Sequence, residues 1–289
     1  YFRMPLYFFL SGLFFKTYDS YRTFLSKKVN NLAIPFVVSA TIAIAIQALR
    51  LYFTEGTLTR LPDLAVGFYP IGPIWFLLCL FNINMIFYLV TIVCDKIFKD
   101  KSIYGICAFS LVVGIIGTQL HGWSFKLPLF IDTAMSALPF YVCGFFFNRY
   151  TRVLLPSQYD KYYYMSIIPA AVFIYFFSVR SHYMSNTFGN PFFVYTCGVI
   201  GTLMVIFLAK MIGTLPFFSY VGRYSIMVLV THQLTIQFLL IAVRKFHLEE
   251  WSTCVITFVA TMLMSLVVIP ICIRFFPHVT AQKDVIKIN

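Results

Sequence analysis

Long apolar runs recur along the whole 289-residue chain, and they constrain its fold more than any motif does. The hydrocarbon core of a bilayer takes about 20 mainly apolar residues per helix. In lipid only helices and closed barrels satisfy their own backbones, and runs of this length point to helices. On that ruler nine segments are predicted to span, at residues 1–15, 32–53, 71–93, 102–120, 133–147, 162–179, 191–212, 224–243 and 252–275, joined by short polar connections.

Hydrophobic residues make up 60% of the chain and charged residues only 11%. A soluble domain holds about 45–50% and about 25% respectively, and one core of this size could not hide so much apolar surface. The predicted class is therefore an all-α polytopic integral membrane bundle, a single transmembrane domain over 1–289 whose first partner is the lipid bilayer.

A net charge of +12 raises the question of nucleic acid. Its distribution answers it. With the first connection taken as cytoplasmic, the inner loops hold 15 of the 22 Lys and Arg, including Lys16, Lys96, Lys99, Lys101, Arg149, Arg152, Lys161, Lys210, Arg223 and Lys287. Arg60, Lys126, Arg180, Arg244 and Lys245 fall outside, with Arg3 and Arg50 near outer helix ends. That split follows the positive-inside rule, so the basic charge reads as topology, not as a nucleic-acid footprint, and the C-terminus is predicted to be cytoplasmic. The seven cysteines are scattered, odd in number and never spaced as CxxC, so they read as packing residues and give no metal site.

Polar groups inside a membrane are costly and are candidates for function. His232 is the clearest, near mid-membrane with Thr231, Gln233 and Gln237 close by in sequence, and Gln237 read as nearly on the same helix face. Its imidazole could carry a proton or bind a ligand; a structural hydrogen bond to a neighbouring helix is the plainer use. Asp132 could bind substrate or simply cap the helix that follows it. Arg3 could bind an anionic group or orient a carbonyl, or else snorkel to the interface. Asn82 and Asn84 read as interhelical hydrogen-bond partners. Arg22, Lys27 and Lys28 could hold phosphates, or serve only as a topology signal. No phosphate loop, zinc spacing or hydrolase elbow occurs.

Several segments in order resemble one family. Arg3-Met-Pro-Leu-Tyr-Phe-Phe-Leu-Ser11-Gly12-Leu-Phe-Phe15 resembles the "RMPLFFFLSGFFF" stretch of the membrane-bound acyltransferase family 3. Lys27-Lys28-Val-Asn-Asn31-Leu-Ala-Ile-Pro35-Phe stands where that family has basic residues and an "RLLIPY"-like element, with Asn31 in place of the usual Arg. Gly72-Pro73-Ile-Trp75-Phe-Leu resembles "GPLWFL". Asp132 through Pro139-Phe140 to Gly144 resembles "D…PFF..G", and Val221-Gly222-Arg-Tyr-Ser225 through His232 resembles "GK.S…Y..H".

The resemblance implies a ten-helix enzyme of the bacterial cytoplasmic membrane, nine of whose helices are visible here, with an essential His expected on a first helix ahead of Tyr1. It implies acyl-CoA, often acetyl-CoA, as co-substrate and a sugar or polysaccharide as acceptor. On it, Arg3 and His232 take catalytic roles, Ser11, Trp75 and Asp132 shape the substrate end, and Arg22, Lys27 and Lys28 meet the CoA phosphates. A transporter or flippase for a lipid-linked sugar is the rival. Neither the acyl group, the acceptor nor the oligomeric state is legible.

Overall fold

A computed structural model describes residues 2–16, 18, 20–55, 72–120, 127–151, 153–244, 249–278, 280 and 282–286. Arg60, Lys126, Arg152, Lys245 and Lys287, which enter the charge split, lie outside these residues. The described chain is almost wholly helical, with one two-stranded hairpin. Among the described residues six helical stretches are long and apolar enough to cross a membrane: Tyr21–Ile46, Gly72–Phe98, Ser102–Gln119, Pro128–Phe147, Pro191–Ile212 and Glu250–Phe275. The other three predicted spans also hold helices, but shorter apolar ones, so the count of nine is not reached.

The chain forms two compact units. The first comprises Tyr1–Tyr18 and Cys79–Gly213. It contains α1 (Arg3–Leu13), most of α4 (Trp75–Phe98), α5 (Ser102–Gln119), α6 (Ile131–Tyr150), α7 (Asp160–Met165), α8 (Ile167–Phe177), the hairpin β1 (Ser181–His182) and β2 (Thr187–Phe188), and α9 (Pro191–Ile212). The second comprises Asp19–Leu78 and Thr214–Asn289, with α2 (Tyr21–Lys28), α3 (Ile34–Glu55), the start of α4, α10 (Pro216–Arg223), α11 (Ser225–Arg244) and α12 (Glu250–Phe275).

In the first unit α6 is the core, with Ala134, Ala137, Leu138, Phe140, Tyr141 and Val142 buried. Two glycines set its crossing with α1. A Cβ on Gly12 would fall 1.9 Å from the Tyr141 carbonyl oxygen, and one on Gly144 would fall 2.0 Å from the Phe9 carbonyl oxygen. Small residues that let backbones touch are the usual means of helix association in lipid, where no hydrophobic drive separates helix from tail.

Polar groups inside this unit pair with one another. The Tyr141 hydroxyl donates to Asn84 Oδ1 at 2.8 Å, Asn84 Nδ2 donates to the Leu80 carbonyl at 2.7 Å, and Asn82 Nδ2 donates to the Leu129 carbonyl at 2.6 Å. Both asparagines thus reach beyond their own turn, as the sequence leads one to expect. Tyr141→Phe leaves the Asn84 oxygen without its donor in a buried place, and should lower stability by about 1–3 kcal/mol. A thermal melt in detergent checks this; an unchanged midpoint would show that Asn84 finds another donor.

The predicted span 162–179 is not one helix. It breaks at Ser166 into α7 and α8. Pro169 accounts for the break: it has no N–H to offer the Met165 carbonyl four residues earlier. In the last turn of α9, Lys210 Nζ donates to the Val153 and Leu155 carbonyls, each at 2.7 Å, and to Asp160 Oδ1 at 2.6 Å. That last hydrogen bond holds the Asp160 carboxyl below the ordinary carboxylate range.

In the second unit α2 runs into α3 through a π-helical turn, Val29–Ala33. Its i→i−5 bond, from the Ile34 N–H to the Val29 carbonyl, is next to Pro35, which breaks the normal ladder. The turn leaves Asn30 only 2% exposed. Asn30 Oδ1 accepts from the Val285 and Ile286 N–H groups at 3.0 and 2.9 Å, and its Nδ2 donates to the Ile286 carbonyl at 2.9 Å. Ser26 donates to the same carbonyl at 3.2 Å, and Lys27 pairs with Asp284. One side chain thus holds the tail as a neighbouring strand would.

At about 0.5–1.5 kcal/mol per hydrogen bond, the two N–H bonds lost in Asn30→Ala should speed amide exchange at Val285 and Ile286 by about 10–100-fold. Exchange mass spectrometry reads this directly. Unchanged protection would mean that other groups hold the tail.

Candidate functional site

The segment Gly72–Ile74 forms a short 3₁₀ turn leading into α4, and it packs on α11. Gly72 has φ 79°, a left-handed value, and Gln233 Oε1 lies 1.4 Å from where its Cβ would stand. The φ favours glycine, whereas the Gln233 amide, at the end of a flexible side chain, could turn aside from a Cβ. Trp75, the first residue of α4, is 6% exposed. The motif around Trp75 and the segment Thr231–Gln233 therefore meet within one unit.

His232 is half-buried, with Nδ1 2.8 Å from the Val228 carbonyl oxygen. A carbonyl only accepts, so Nδ1 carries the hydrogen. In the neutral ring this leaves the lone pair on Nε2, the form that can take up a proton. The local bond within α11 fixes the tautomer and part of the ring orientation.

Beside this segment lies a cavity of about 410 Å³ with walls from α3, the Gly72–Ile74 turn, α11 and α12. Ile42, Ile46, Ile74 and Leu234 make its surface mainly apolar, and Ser39, Thr231, Gln233 and Gln237 add polar groups. Ser39 Oγ and Gln233 Oε1 are buried without a hydrogen-bond partner among the described residues. His232 is not in this wall. At about 100° per residue, it points to the side of α11 opposite Val230 and Leu234. Gln237, read from sequence as nearly sharing its face, lines the cavity instead; the 3.6-residue period separates the two.

A smaller cleft of about 240 Å³ is lined by Asn31, Arg223, Tyr224, Ser225, Thr280 and Gln282, among others. Arg223 was counted in the sequence only as a topology charge. Here it lines the same cleft as Asn31, the position where the resemblance leads one to look for an arginine.

The remaining candidates are placed as follows. Arg3 is exposed at the first turn of α1, and Ser11 donates to the Tyr7 carbonyl at 2.8 Å. Asp132 is 6% exposed, lies in the first turn of α6 and accepts from the Thr133 N–H at 2.8 Å. These three belong to the first unit. In the second unit Arg22 is exposed, Lys27 is in the tail clamp, and Lys28 sits 5.7 Å from the centre of the Phe24 ring. Asn30 and Arg223 were not picked out by sequence reasoning. The signal for Asn30 was its place one turn before Pro35 in an apolar run.

A described chain with six helical stretches long and apolar enough to cross a membrane defines a class, the polytopic membrane proteins. Comparison with known proteins narrows it. The sequence profile of the acyltransferase domain of family 3 matches residues 1–273, nearly the whole chain. No curated protein and no solved structure matches it. The chain belongs to the membrane-bound acyltransferase family 3, and it is a membrane acyltransferase.

Proposed function

We propose that this protein moves an acyl group, acetyl in the first instance, from acyl-CoA to a hydroxyl of a cell-surface or exported sugar at a bacterial cytoplasmic membrane. The observation that carries the reading is the His232 imidazole, whose Nδ1–H is bound to the Val228 carbonyl while Nε2 keeps a lone pair. In the reaction the acceptor hydroxyl loses its proton to a base, its oxygen attacks the thioester carbonyl, the C–S bond breaks, and the CoA thiolate takes up a proton. Nε2 of His232 accepts or relays the first proton. Arg3, a permanent cation, stabilises the oxyanion that forms at the carbonyl.

Trp75, Ser11 and Asp132 shape the acceptor end in this reading. Arg22, Lys27 and Lys28 draw in the CoA phosphates, joined by Arg223, whose fork suits a phosphate near Asn31. Lys27 is paired with Asp284, so its share requires that pair to open.

The test uses the full chain in lipid nanodiscs with acetyl-CoA labelled in the acetyl group and a panel of oligosaccharides. Release of free CoA thiol matched by label on a sugar is the expected result. Movement of unmodified sugar across the bilayer, with no thiol released for any acyl donor, would overturn the reading in favour of transport.

A further inference from the structure

A second cavity, of about 420 Å³, lies wholly within the first unit, and none of the predicted site residues lines it. Half of its lining residues are aromatic, Phe15, Phe87, Tyr88 and Phe145 among them, and its charged members are Asp95 and Arg149. The place of those charges is informative. Asp95 is in the last turn of α4, which ends at Phe98; Ser102, also in the wall, opens α5; and Arg149 is next to the end of α6 at Tyr150. All three helices are membrane-spanning stretches, so the cavity sits where spans meet the headgroup layer.

The shape of the aromatic wall limits what can enter. Phe15 meets Phe87 at 86° and Phe145 at 76°, and Phe87 meets Phe145 at 62°. No two of these three rings are parallel, so a flat base could not be sandwiched between them. With centroids 5.1–5.7 Å apart, the three rings pack edge to face into one aromatic wall, and a ring face turned to a cavity attracts an ammonium group. The Arg149 guanidinium already lies 5.9 Å from the centre of the Phe145 ring.

Asp95 and Arg149 are both exposed, and the salt bridges among the described residues are Lys27–Asp284 and Lys210–Asp160, so these two charges do not neutralise each other by contact. One carboxylate, one guanidinium and an aromatic wall match a ligand with one ammonium and one phosphate. A ligand with an anion alone would leave Asp95 opposed, and one with a cation alone would leave Arg149 opposed.

We propose that this cavity binds the headgroup of a zwitterionic phospholipid, with its ammonium against the aromatic rings and Asp95 and its phosphodiester on Arg149. A primary ammonium, as in phosphatidylethanolamine, can donate hydrogen bonds to the Asp95 carboxylate, which a quaternary one lacks. The lipid source follows from the cavity's place at the ends of three spans. This site is separate from the acyl-transfer chemistry, and its test does not depend on it.

The full chain is placed in nanodiscs of equimolar dioleoyl phosphatidylethanolamine and dioleoyl phosphatidylglycerol, and the lipids retained on release are weighed by native mass spectrometry. Wild type should keep the ethanolamine lipid over the glycerol lipid by at least about tenfold. Asp95→Asn should bring that ratio close to one with total retention held, and Arg149→Gln should lose both lipids. Equal retention in wild type, or an unchanged ratio in Asp95→Asn, overturns the proposal without reference to any variant's fold in the first case. Added adenosine 3′,5′-bisphosphate or free phosphoethanolamine should leave retention unchanged. Displacement by the bisphosphate would make the cavity a nucleotide subsite, and displacement by free phosphoethanolamine would make its ligand a soluble one; either overturns the lipid assignment.

Discussion

Gly144→Leu is expected to abolish the folded protein, and Gly144→Ala to lower its stability by about 1–3 kcal/mol or more. The reason is the atom on the other side. A Cβ at Gly144 meets the Phe9 carbonyl oxygen at 2.0 Å, and one at Gly12 meets that of Tyr141 at 1.9 Å. A side chain could turn aside from such a contact, but a backbone carbonyl inside a helix is tied by its own hydrogen bond. Relief therefore needs α1 and α6 to part along their length, which would open voids beside Phe8, Phe9 and Tyr141, all buried. Gly12→Ala should act in the same way, and the double variant should lose less than the sum of the two, because one separation relieves both. Monodisperse yield and thermal midpoint measure this. Wild-type values for Gly144→Leu would mean that the two helices do not meet at this register.

The second large effect concerns activity. His232→Ala should lower acyl transfer by about 10²-fold or more, the usual worth of a positioned proton carrier. Arg3→Ala should lower it by about 10²–10³-fold through loss of oxyanion stabilisation. Neither change should reduce the amount of folded protein. His232 gives up one bond to its own helix, and Arg3 is exposed. Arg3→Lys keeps the charge and should recover part of the loss, whereas a residue needed only for anchoring would be replaced by lysine at full rate. Full activity in both alanine variants would sink these assignments.

The hydropathy of the sequence was enough to place helices in all nine predicted segments and to name the class. It was poorer at continuity. A run of apolar residues through 162–179 reads as one span because averaging over a window hides the single missing N–H of Pro169. The same averaging hides the π turn before Pro35.

Some of the site was within reach of simple geometry. The angle between His232 and Gln237 follows from helix period alone, and it separates the imidazole from the cavity that Gln237 lines. The place of Gly72 under Gln233 needed the fold, since nothing in sequence links those residues. Asn30 and Ile286 are in the same position, 256 residues apart and joined by hydrogen bonds that no local pattern encodes. Arg223 is a further case. A charge counted toward orientation lines the same cleft as Asn31, a meeting that no local pattern encodes.

The reciprocal fit of α1 and α6 bears on how a catalytic cycle can run. Each helix carries a notch that seats the other's carbonyl, and the two notches act as a pair of pins. Sliding by even one residue would drive a Cβ into a main-chain oxygen, so translation of α1 along α6 is barred. A rigid mount of this kind keeps Arg3, at the start of α1, in one register through every turnover. Opening to admit an acceptor or release a product must then be accomplished by other helices, and a spin-label pair spanning α1 and α6 should report one distance in every state of the cycle.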